Sequence, residues 1–352
     1  MNIFWFRRDL RVEDNVGLFH ALNSAEEVLP IFIFDESILS QLPKDDARVS
    51  FIHSQLEKIQ AGLNTVGKSL AVFHGKPIEV FEKLITENKI SAVYTNHDYE
   101  PYARNRDKEL NQLFTAHAIS FLTSKDQVIF EKSEVVKDDG TPYVVYTPYS
   151  KKWKENFKKI KLIHYPSEEK LNKISKHSYP FLTLTDIGFE KSNIKVTPFD
   201  VSATLIQNYE ATRNFPAVNK TSYLGIYLRF GAVSIRKMVE KAIAEKNETF
   251  WNELIWREFF MQILWHFPHT KNGSFRPKYD AIQWDNNEEL FQKWCEGKTG
   301  YPFVDAGMRE LNATGHMHNR VRMIVASFLC KHLLIDWRWG CLLYTSPSPR
   351  DR

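Results

Sequence analysis

Residues 3–11 read IFWFRRDLR, a run of four large apolar side chains that ends in a cluster of arginines. Such a run is typical of a strand that is buried on both faces of a sheet. Further apolar runs of this kind lie at residues 28–34, 69–74, 92–96 and 119–123. Segments with helical spacing lie between them, at residues 47–66 and 77–89. Strands that alternate with helices predict a parallel, doubly wound sheet of the α/β Rossmann-like class.

The arginine-rich segment Arg7–Arg11 leaves the first strand at the edge of the sheet where such folds bind their ligands. It is either a ligand-binding turn or a solvated basic turn. A dinucleotide-dependent dehydrogenase would carry the glycine pattern G-x-G-x-x-G here, and this chain does not. The sequence therefore argues against that class of enzyme.

Length and composition narrow the class of protein. The 352 residues suffice for two domains, and the net charge of +4 is a weak indication of a polyanionic partner. The three cysteines form no C-x-x-C pair, so neither a disulfide framework nor a zinc site is indicated. No apolar run approaches the roughly 18 residues of a membrane span. We expect a cytoplasmic protein with no membrane partner.

Beyond the predicted sheet the pattern changes twice. Residues 131–198 show no sustained period and are predicted to form a connector, whereas helical spacing prevails from residue 199 onward. Long helices are predicted at residues 249–267, 302–314 and 316–334. Within the connector, residues 151–161 read KKWKENFKKIK. This stretch is either a basic patch for nucleic acid or the solvated face of a helix.

One face of a predicted helix carries Glu253, Trp256, Arg257 and Phe260, at positions i, i+3, i+4 and i+7. A ring for stacking, beside a carboxylate that accepts N–H bonds, suits a pocket for a nucleic-acid base. Alternatively, Trp256 packs inward while Glu253 and Arg257 form an ion pair at the surface.

The last predicted helix repeats this spacing with Asn319, Arg322, Met323 and Ala326. Its opposite face is predicted to be core and holds Val321, Ile324, Val325 and Phe328. The amide can bond the edge of a heterocycle, and the guanidinium can bind a phosphate or a buried carboxylate. The alternative is that this polar face is solvated.

Five segments, in this order and spacing, resemble the photolyase/cryptochrome family over residues 1 to about 340. They are Trp5–Arg11 with Asp14 and Asn15, Trp251–Phe260, Glu296–Pro302 leading into Asp305–Arg309, Met317–Arg320, and Asp336–Arg338. The chain is most similar to the class I members, which split cyclobutane pyrimidine dimers. The resemblance implies an α/β antenna domain at residues 1–130, a connector at 131–198, and an all-α FAD-binding domain at 199–340 that is incomplete.

The resemblance also implies a set of FAD-binding residues. They are Tyr209, Thr221, Ser222, Tyr223, Leu224, Gly225 and Arg322. Residues 221–225 would form a turn around the phosphates of the cofactor. This turn departs from the family pattern, because Asn219 and Lys220 replace a usual glycine and Gly225 replaces a usual serine. Asn214 likewise replaces a usual aspartate.

A second implied set of residues binds damaged DNA. It comprises Arg213, Glu253, Trp256, Arg257, Phe260, Asn319 and Arg320. The catalytic residues by this resemblance, which line the pocket for the damaged bases, are Glu253, Trp256, Asn319 and Met323. Family members that repair (6-4) lesions carry His, a proton donor, at the positions of Asn319 and Met323. The amide and the thioether of this chain match the dimer-splitting members instead.

The implied activity is light-driven repair of DNA that contains pyrimidine dimers. The dimer flips out of the duplex, excited reduced FAD donates an electron, the cyclobutane ring opens, and the electron returns. Trp284 and Trp337 resemble the outer and middle members of the tryptophan chain that photoreduces the flavin.

The resemblance leaves alternatives. A cryptochrome-type blue-light photoreceptor has the same fold and flavin. The sequence leaves the identity of the second, antenna chromophore open: it is a folate, a deazaflavin or a flavin, or it is absent. Tyr102 and Ala103 replace the Asn-Glu pair that folate-binding members carry. A monomer is the family default.

After Gly340 the sequence leaves the family pattern. The family continues with an acidic aromatic helix and then a long stretch that supplies carboxylates, an Asn and a Trp to the flavin site. Residues 341–352 match none of this and are interpreted as a non-native tail. We therefore expect a truncated chain that retains FAD weakly or not at all and is inactive as it stands.

Overall fold

The computed structural model describes residues 1–343. Its first half is built on a parallel sheet of five strands in the order β3-β2-β1-β4-β5. The strands are β1 (Asn2–Phe6), β2 (Val28–Asp35), β3 (Ala71–Gly75), β4 (Ala92–Asn96) and β5 (Ser120–Ser124). Each lies within two residues of a predicted strand, so the predicted α/β class is confirmed.

Helices cover both faces of this sheet. They are α1 (Val16–Leu22), α2 (Glu36–Leu39), α3 (Ala47–Asn64), α4 (Pro77–Glu87) and α5 (Pro101–Ala116). Phe4 and Phe6 of β1 pack on one face with residues of α1 and α3. Ile3 and Trp5 pack on the other face with residues of α4 and α5. Because both faces are covered, the strand is apolar at four successive positions, Ile3 to Phe6, rather than at alternate ones.

The second half of the chain is helical, as predicted. Its helices are α6 (Tyr146–Phe157) in the connector, then α7 (Ala203–Thr212), α8 (Gly225–Arg229), α9 (Ile235–Ala244), α10 (Glu248–His266), α11 (Glu288–Cys295), α12 (Pro302–Thr314), α13 (Asn319–Lys331) and α14 (Trp337–Leu343). Among the described residues, no helix has the length and apolar character needed to cross a membrane. Of the predicted tail at residues 341–352, only the first three residues are described.

Helix α13 begins three residues later than the sequence predicts. Residues 316–318 lie outside the helix, and Nδ1 of His318 caps the helix by accepting a hydrogen bond from the backbone N–H of Arg320 at 3.1 Å. The predicted core face is only partly right, because Ile324 is exposed while Arg322 is buried. The side of the helix that carries Arg322 borders a cavity, so polar groups are enclosed there.

Helix α6 carries residues 151–157 of the basic stretch in the connector. Trp153 is buried, and its indole N–H donates to Glu258 of α10 at 3.0 Å. Lys154 pairs with Glu248 at 2.5 Å. The aromatic ring therefore anchors the helix to the protein while the lysines face solvent and carboxylates. This arrangement supports the interpretation of the stretch as a solvated helix face.

The arginine-rich segment after β1 is a structural element. Arg7 donates to both carboxylate oxygens of Asp107, at 2.5 and 2.8 Å, and Arg8 pairs with Glu100 at 2.6 Å. Neither residue lines the cavity that borders α13. The segment is therefore not the solvated turn that the sequence left open.

Asp126 joins this segment to the helical half. Its side chain is fully buried and accepts hydrogen bonds from Nη2 of Arg11 at 2.8 Å and from Nη2 of Arg236 at 2.9 Å. Burial alone would raise the pKa of Asp126, but the two guanidinium groups outweigh burial and lower it. Arg236 also binds the carboxylate of Asp14 at 2.9 Å. These ion pairs fix α9 against the loops that follow β1 and β5.

Replacing Asp126 by Asn should lower the free energy of unfolding by about 3–5 kcal/mol, because it removes the charge that balances buried guanidinium groups. Urea denaturation measures the change. Glu13→Gln is the matched control, since Glu13 pairs with Lys237, the neighbour of Arg236, at the exposed surface. A surface pair contributes less than about 1 kcal/mol. Equal losses in the two variants would contradict the role of Asp126.

Candidate functional site

A cavity of about 680 Å³ lies where the helical half meets the α/β half. Its wall combines residues from α7, α8, α10, α13, the loop before α3 and the connector. The predicted site residues on this wall are Tyr209, Thr221, Ser222, Tyr223, Leu224, Gly225, Glu253, Arg257, Asn319 and Arg322. The predicted site residues outside this wall are Arg213, Trp256, Phe260, Trp284, Arg320, Met323 and Trp337.

The turn at residues 221–225 leads into α8 and bends sharply. Tyr223 has a φ of 51°, in the left-handed region that non-glycine residues seldom adopt. Its phenol O–H donates to the side chain of Asn219 at 2.6 Å, and its ring lies 4.7 Å from the ring of His316. Asn219, one of the substitutions in this turn, therefore helps to hold Tyr223 in its strained conformation.

A neutral histidine and a cationic arginine lie side by side on this wall. Burial and the nearby guanidinium of Arg322 lower the pKa of His316 to about 4. The ring of His316 is therefore uncharged at neutral pH. The local positive charge comes from Arg322, which suits an anionic group of a ligand.

The donor set of the cavity fits FAD. Thr221 and Ser222 offer hydroxyl groups and Arg322 a guanidinium, which suit phosphate oxygens. Tyr209 and Phe250, whose rings lie 5.2 Å apart, offer aromatic surface to a flat ring system. Hydroxyls, an arginine and aromatic rings on one wall match a dinucleotide that carries a pyrophosphate between two ring systems.

The carboxylate of Glu253 is held by an arginine from another helix. Nη1 of Arg213, at the end of α7, lies 2.6 Å from Oε1 of Glu253. The sequence left open an ion pair between Glu253 and Arg257. In the structure Glu253 pairs with Arg213 instead. The two side chains of the observed pair are 20% and 19% exposed, so the pair borders solvent at the mouth of the cavity.

The first turn of α13 brings further predicted residues to this mouth. The amide Nδ2 of Asn319 lies 3.9 Å from Sδ of Met323, whose side chain is exposed. Nε and Nη2 of Arg320 donate to Oδ1 of Asn214, at 2.9 and 2.7 Å. Arg320 is thereby tied to the residue that follows Arg213, so both arginines lie near the same junction of α7 and α13.

Trp256 is covered by other aromatic rings. The ring of Tyr146 stacks on it with centroids 3.6 Å apart and an interplanar angle of 5°. Phe260 lies 5.5 Å away at 23°. The predicted stacking of Trp256 on a damaged base would therefore use its exposed edge or require Tyr146 to move.

The placement of Arg257 contradicts the expectation that it contacts DNA. Its side chain is buried, and its two terminal nitrogens donate to the backbone carbonyls of Gln127 at 2.6 Å and Leu228 at 3.2 Å. Burial lowers its pKa to about 10. Because the guanidinium is committed to backbone carbonyls inside the protein, Arg257 orients α10 and cannot bind a surface phosphate.

Glu258, the next residue, is a buried carboxyl group that the sequence did not single out. It accepts hydrogen bonds from the backbone N–H groups of Ile129 and Phe130 at 2.8 and 2.7 Å. Trp153 donates to its second oxygen. Burial raises the pKa of Glu258 to about 7. This side chain attaches α10 to the connector behind the cavity.

The residues predicted to transfer electrons, Trp284 and Trp337, are half-buried. The chain segments that carry them lie side by side. The backbone N–H of Asp285 donates to the carbonyl of Leu334 at 2.9 Å, and that of Asp336 donates to the side chain of Asn286 at 2.9 Å. The electron-transfer role of the two tryptophans stays a prediction.

Several wall residues were missed at the level of sequence. They are Asp46 before α3 and Arg48 in its first turn, residues 192–194, 196 and 197 of the connector, and His316 and His318. Loop residues follow no helical or strand spacing, so nothing in the sequence singled them out. The two histidines offered a signal, because they flank Met317 immediately before a predicted site residue, Asn319.

The chain resembles known proteins along nearly its whole length. Residues 2–169 match the family described as DNA photolyase, and residues 250–346 match the FAD binding domain of DNA photolyase. The chain is 35% identical to the deoxyribodipyrimidine photo-lyase of Synechococcus sp., an alignment that covers 96% of this chain and 75% of that protein.

Solved structures show the same fold. An archaeal photolyase from Sulfolobus tokodaii, solved with two FAD molecules, is 32% identical with a TM-score of 0.82, over 99% of this chain and 79% of that one. A cryptochrome from Synechocystis sp. has a TM-score of 0.83 at 23% identity, over 99% of this chain and 78% of that one. The second likeness supports the fold alone, whereas the sequence matches confirm the predicted family.

The raised pKa of Glu258 predicts a stability that falls as the pH rises. The folded protein binds this proton more tightly than the unfolded chain, whose glutamate pKa is 4.5. The stabilisation is therefore complete below pH 4.5 and is lost as the pH rises through about 7. Relative to Glu258→Gln, the wild type should lose up to about 3 kcal/mol over this range.

Urea denaturation at several pH values from 4.5 to 8 measures this difference. Glu248→Gln, at the exposed start of the same helix, is the control, because the pKa of Glu248 is lowered by its hydrogen bond to Lys154. The difference between wild type and this control should not fall with rising pH. Parallel stability curves for wild type and Glu258→Gln would contradict the assignment.

Proposed function

Because the chain belongs to the DNA photolyase/cryptochrome family, we propose that it splits cyclobutane pyrimidine dimers in DNA with the energy of light. The observation that carries this proposal is the meeting of Glu253 and Asn319 on the wall of one cavity. They come from α10 and α13, which are far apart in the chain. The name of the Synechococcus relative, a photo-lyase, supports the same reaction class.

The side chains on this wall suit the recognition of pyrimidines. Glu253 supplies a carboxylate that accepts N–H bonds, and the amide of Asn319 can both donate and accept. Neither Asn319 nor Met323 has a proton to give at neutral pH. Ring opening of a cyclobutane dimer needs no proton donor, whereas repair of a (6-4) lesion does. The pair therefore favours the dimer as substrate.

We assign FAD to the same cavity. Its phosphates would bind at residues 221–225 and Arg322, and its rings would pack near Tyr209. When bound in its reduced form, FAD supplies the electron that opens the dimer after light is absorbed. The residues of this chain hold the bases against Glu253 and Asn319 and exclude water from the wall.

DNA would approach the mouth of the cavity, where Arg213 and Arg320 can contact phosphates. Such contacts make binding weaker as salt increases. A dimer stacks poorly in the duplex, so flipping it toward the cavity costs less than flipping an intact base. Phe260 and Trp256 would border the flipped bases.

We further propose that residues 1–130 form an antenna domain, residues 131–198 a connector and residues 199–340 an FAD-binding domain. We propose in addition that the active form is a monomer with a second light-harvesting chromophore, and that Trp284 and Trp337 photoreduce the flavin.

Illuminating the FAD-supplemented protein with dimer-containing DNA should remove dimers, and the dark reaction should not. Glu253→Gln should slow the removal about tenfold or more, because a hydrogen bond to a charged group contributes about 1.5–3 kcal/mol. Chromatography of the digested DNA counts the remaining dimers. Glu210→Gln, on the exposed side of α7, should leave the rate unchanged. Flavin photoreduction without any loss of dimers would favour a photoreceptor instead.

A further inference from the structure

The mouth of the cavity holds two arginines in different electrostatic settings. Arg213 is engaged by the carboxylate of Glu253 at 2.6 Å. Arg320 is engaged by the side-chain oxygen of Asn214, at 2.9 and 2.7 Å. A carboxylate cancels the charge of its arginine, whereas a neutral amide orients the guanidinium and leaves its charge in place.

This inference rests on the proposed function, in which both side chains of the charged pair bind DNA rather than each other. Glu253 must turn toward the edge of a damaged base, and Arg213 must turn toward a phosphate. Neither can happen while the two side chains bind each other. DNA binding must therefore exchange one ion pair for two new sets of contacts.

We propose that the Arg213–Glu253 ion pair sets the preference of this protein for damaged over undamaged DNA. Undamaged DNA offers Arg213 a phosphate but leaves its bases stacked, so it supplies no N–H group to Glu253. Breaking the pair then withdraws a cation from a carboxylate that is only 19% exposed. That loss is not compensated, and undamaged DNA binds less tightly as a result.

A strand with a flipped dimer supplies both replacements. Arg213 can bind the phosphate beside the lesion, and the carboxylate of Glu253 can accept hydrogen bonds from the N–H groups of the pyrimidines. Arg320 attracts both kinds of DNA equally, because the ion pairs found within residues 1–343 include none that must break before Arg320 binds a phosphate. General affinity would thus come from Arg320, and discrimination from the contact between Arg213 and Glu253.

The test is a binding experiment in the dark with the full chain. Two duplexes of one sequence, one intact and one with a single cyclobutane dimer, are titrated at several salt concentrations by fluorescence anisotropy. Glu253→Gln should bind the intact duplex about 3- to 10-fold more tightly. Its log–log salt slope should steepen by about one, since Arg213 is then available to one more phosphate. The affinity for the dimer should fall at the same time.

Two further variants make the result specific. In an Arg213→Ala background, Glu253→Gln should no longer tighten binding to the intact duplex. Glu210→Gln removes the same charge three residues before Arg213, and the described residues include no ion pair for Glu210. It should tighten binding to both duplexes alike, and by less.

The outcomes separate this inference from the proposed function. Wild-type protein that prefers the dimer, with no tightening by Glu253→Gln beyond Glu210→Gln, overturns the ion-pair inference alone. Tightening that persists in the Arg213→Ala background overturns it as well. Wild-type protein with no preference for the dimer overturns the proposed function and this inference together.

Discussion

The buried carboxylate of Asp126 is the constraint on which the arrangement of the two halves depends. It binds Arg11 after β1 and Arg236 of α9, and Asp14 after β1 binds the same Arg236, so buried ion pairs join the sheet to the helices. Two buried guanidinium groups and one carboxylate would be unfavourable apart, because each would lose its hydration without compensation. Together they fix the position of α9, against which α10 packs in the same apolar cluster.

The cavity lies between the two halves that these ion pairs join. Its wall uses residues before α3 in the α/β half and residues of α7, α10 and α13 in the helical half. Two buried groups of α10 then set the orientation of that helix. Arg257 donates to backbone carbonyls of both halves, and Glu258 receives the backbone N–H groups that follow residue 128. Glu253, one turn earlier, is thereby presented at the mouth.

Much of the fold followed from sequence because parallel strands covered on both faces are continuously apolar, and all five were visible as such. The stripe Glu253–Phe260 correctly indicated one helix, but spacing alone could not tell a cavity wall from a packed interface. The sequence therefore predicted that Arg257 contacts DNA. Its guanidinium is in fact buried and donates to backbone carbonyls of distant segments. The stacking of Tyr146 on Trp256 was missed for the same reason, since it joins residues of α6 and α10. The start of α13 was misplaced because a histidine, an uncommon capping residue, caps this helix.

Hydrogen exchange of backbone amides, measured with and without added FAD, can show whether the flavin binds in the cavity around residues 221–225. If it does, exchange should slow at residues 222–224 and 316–318, which lie on opposite sides of the contact between Tyr223 and His316. Unchanged exchange there, with protection confined to the loops that follow β1 and β4, would rule out this cavity as the flavin site.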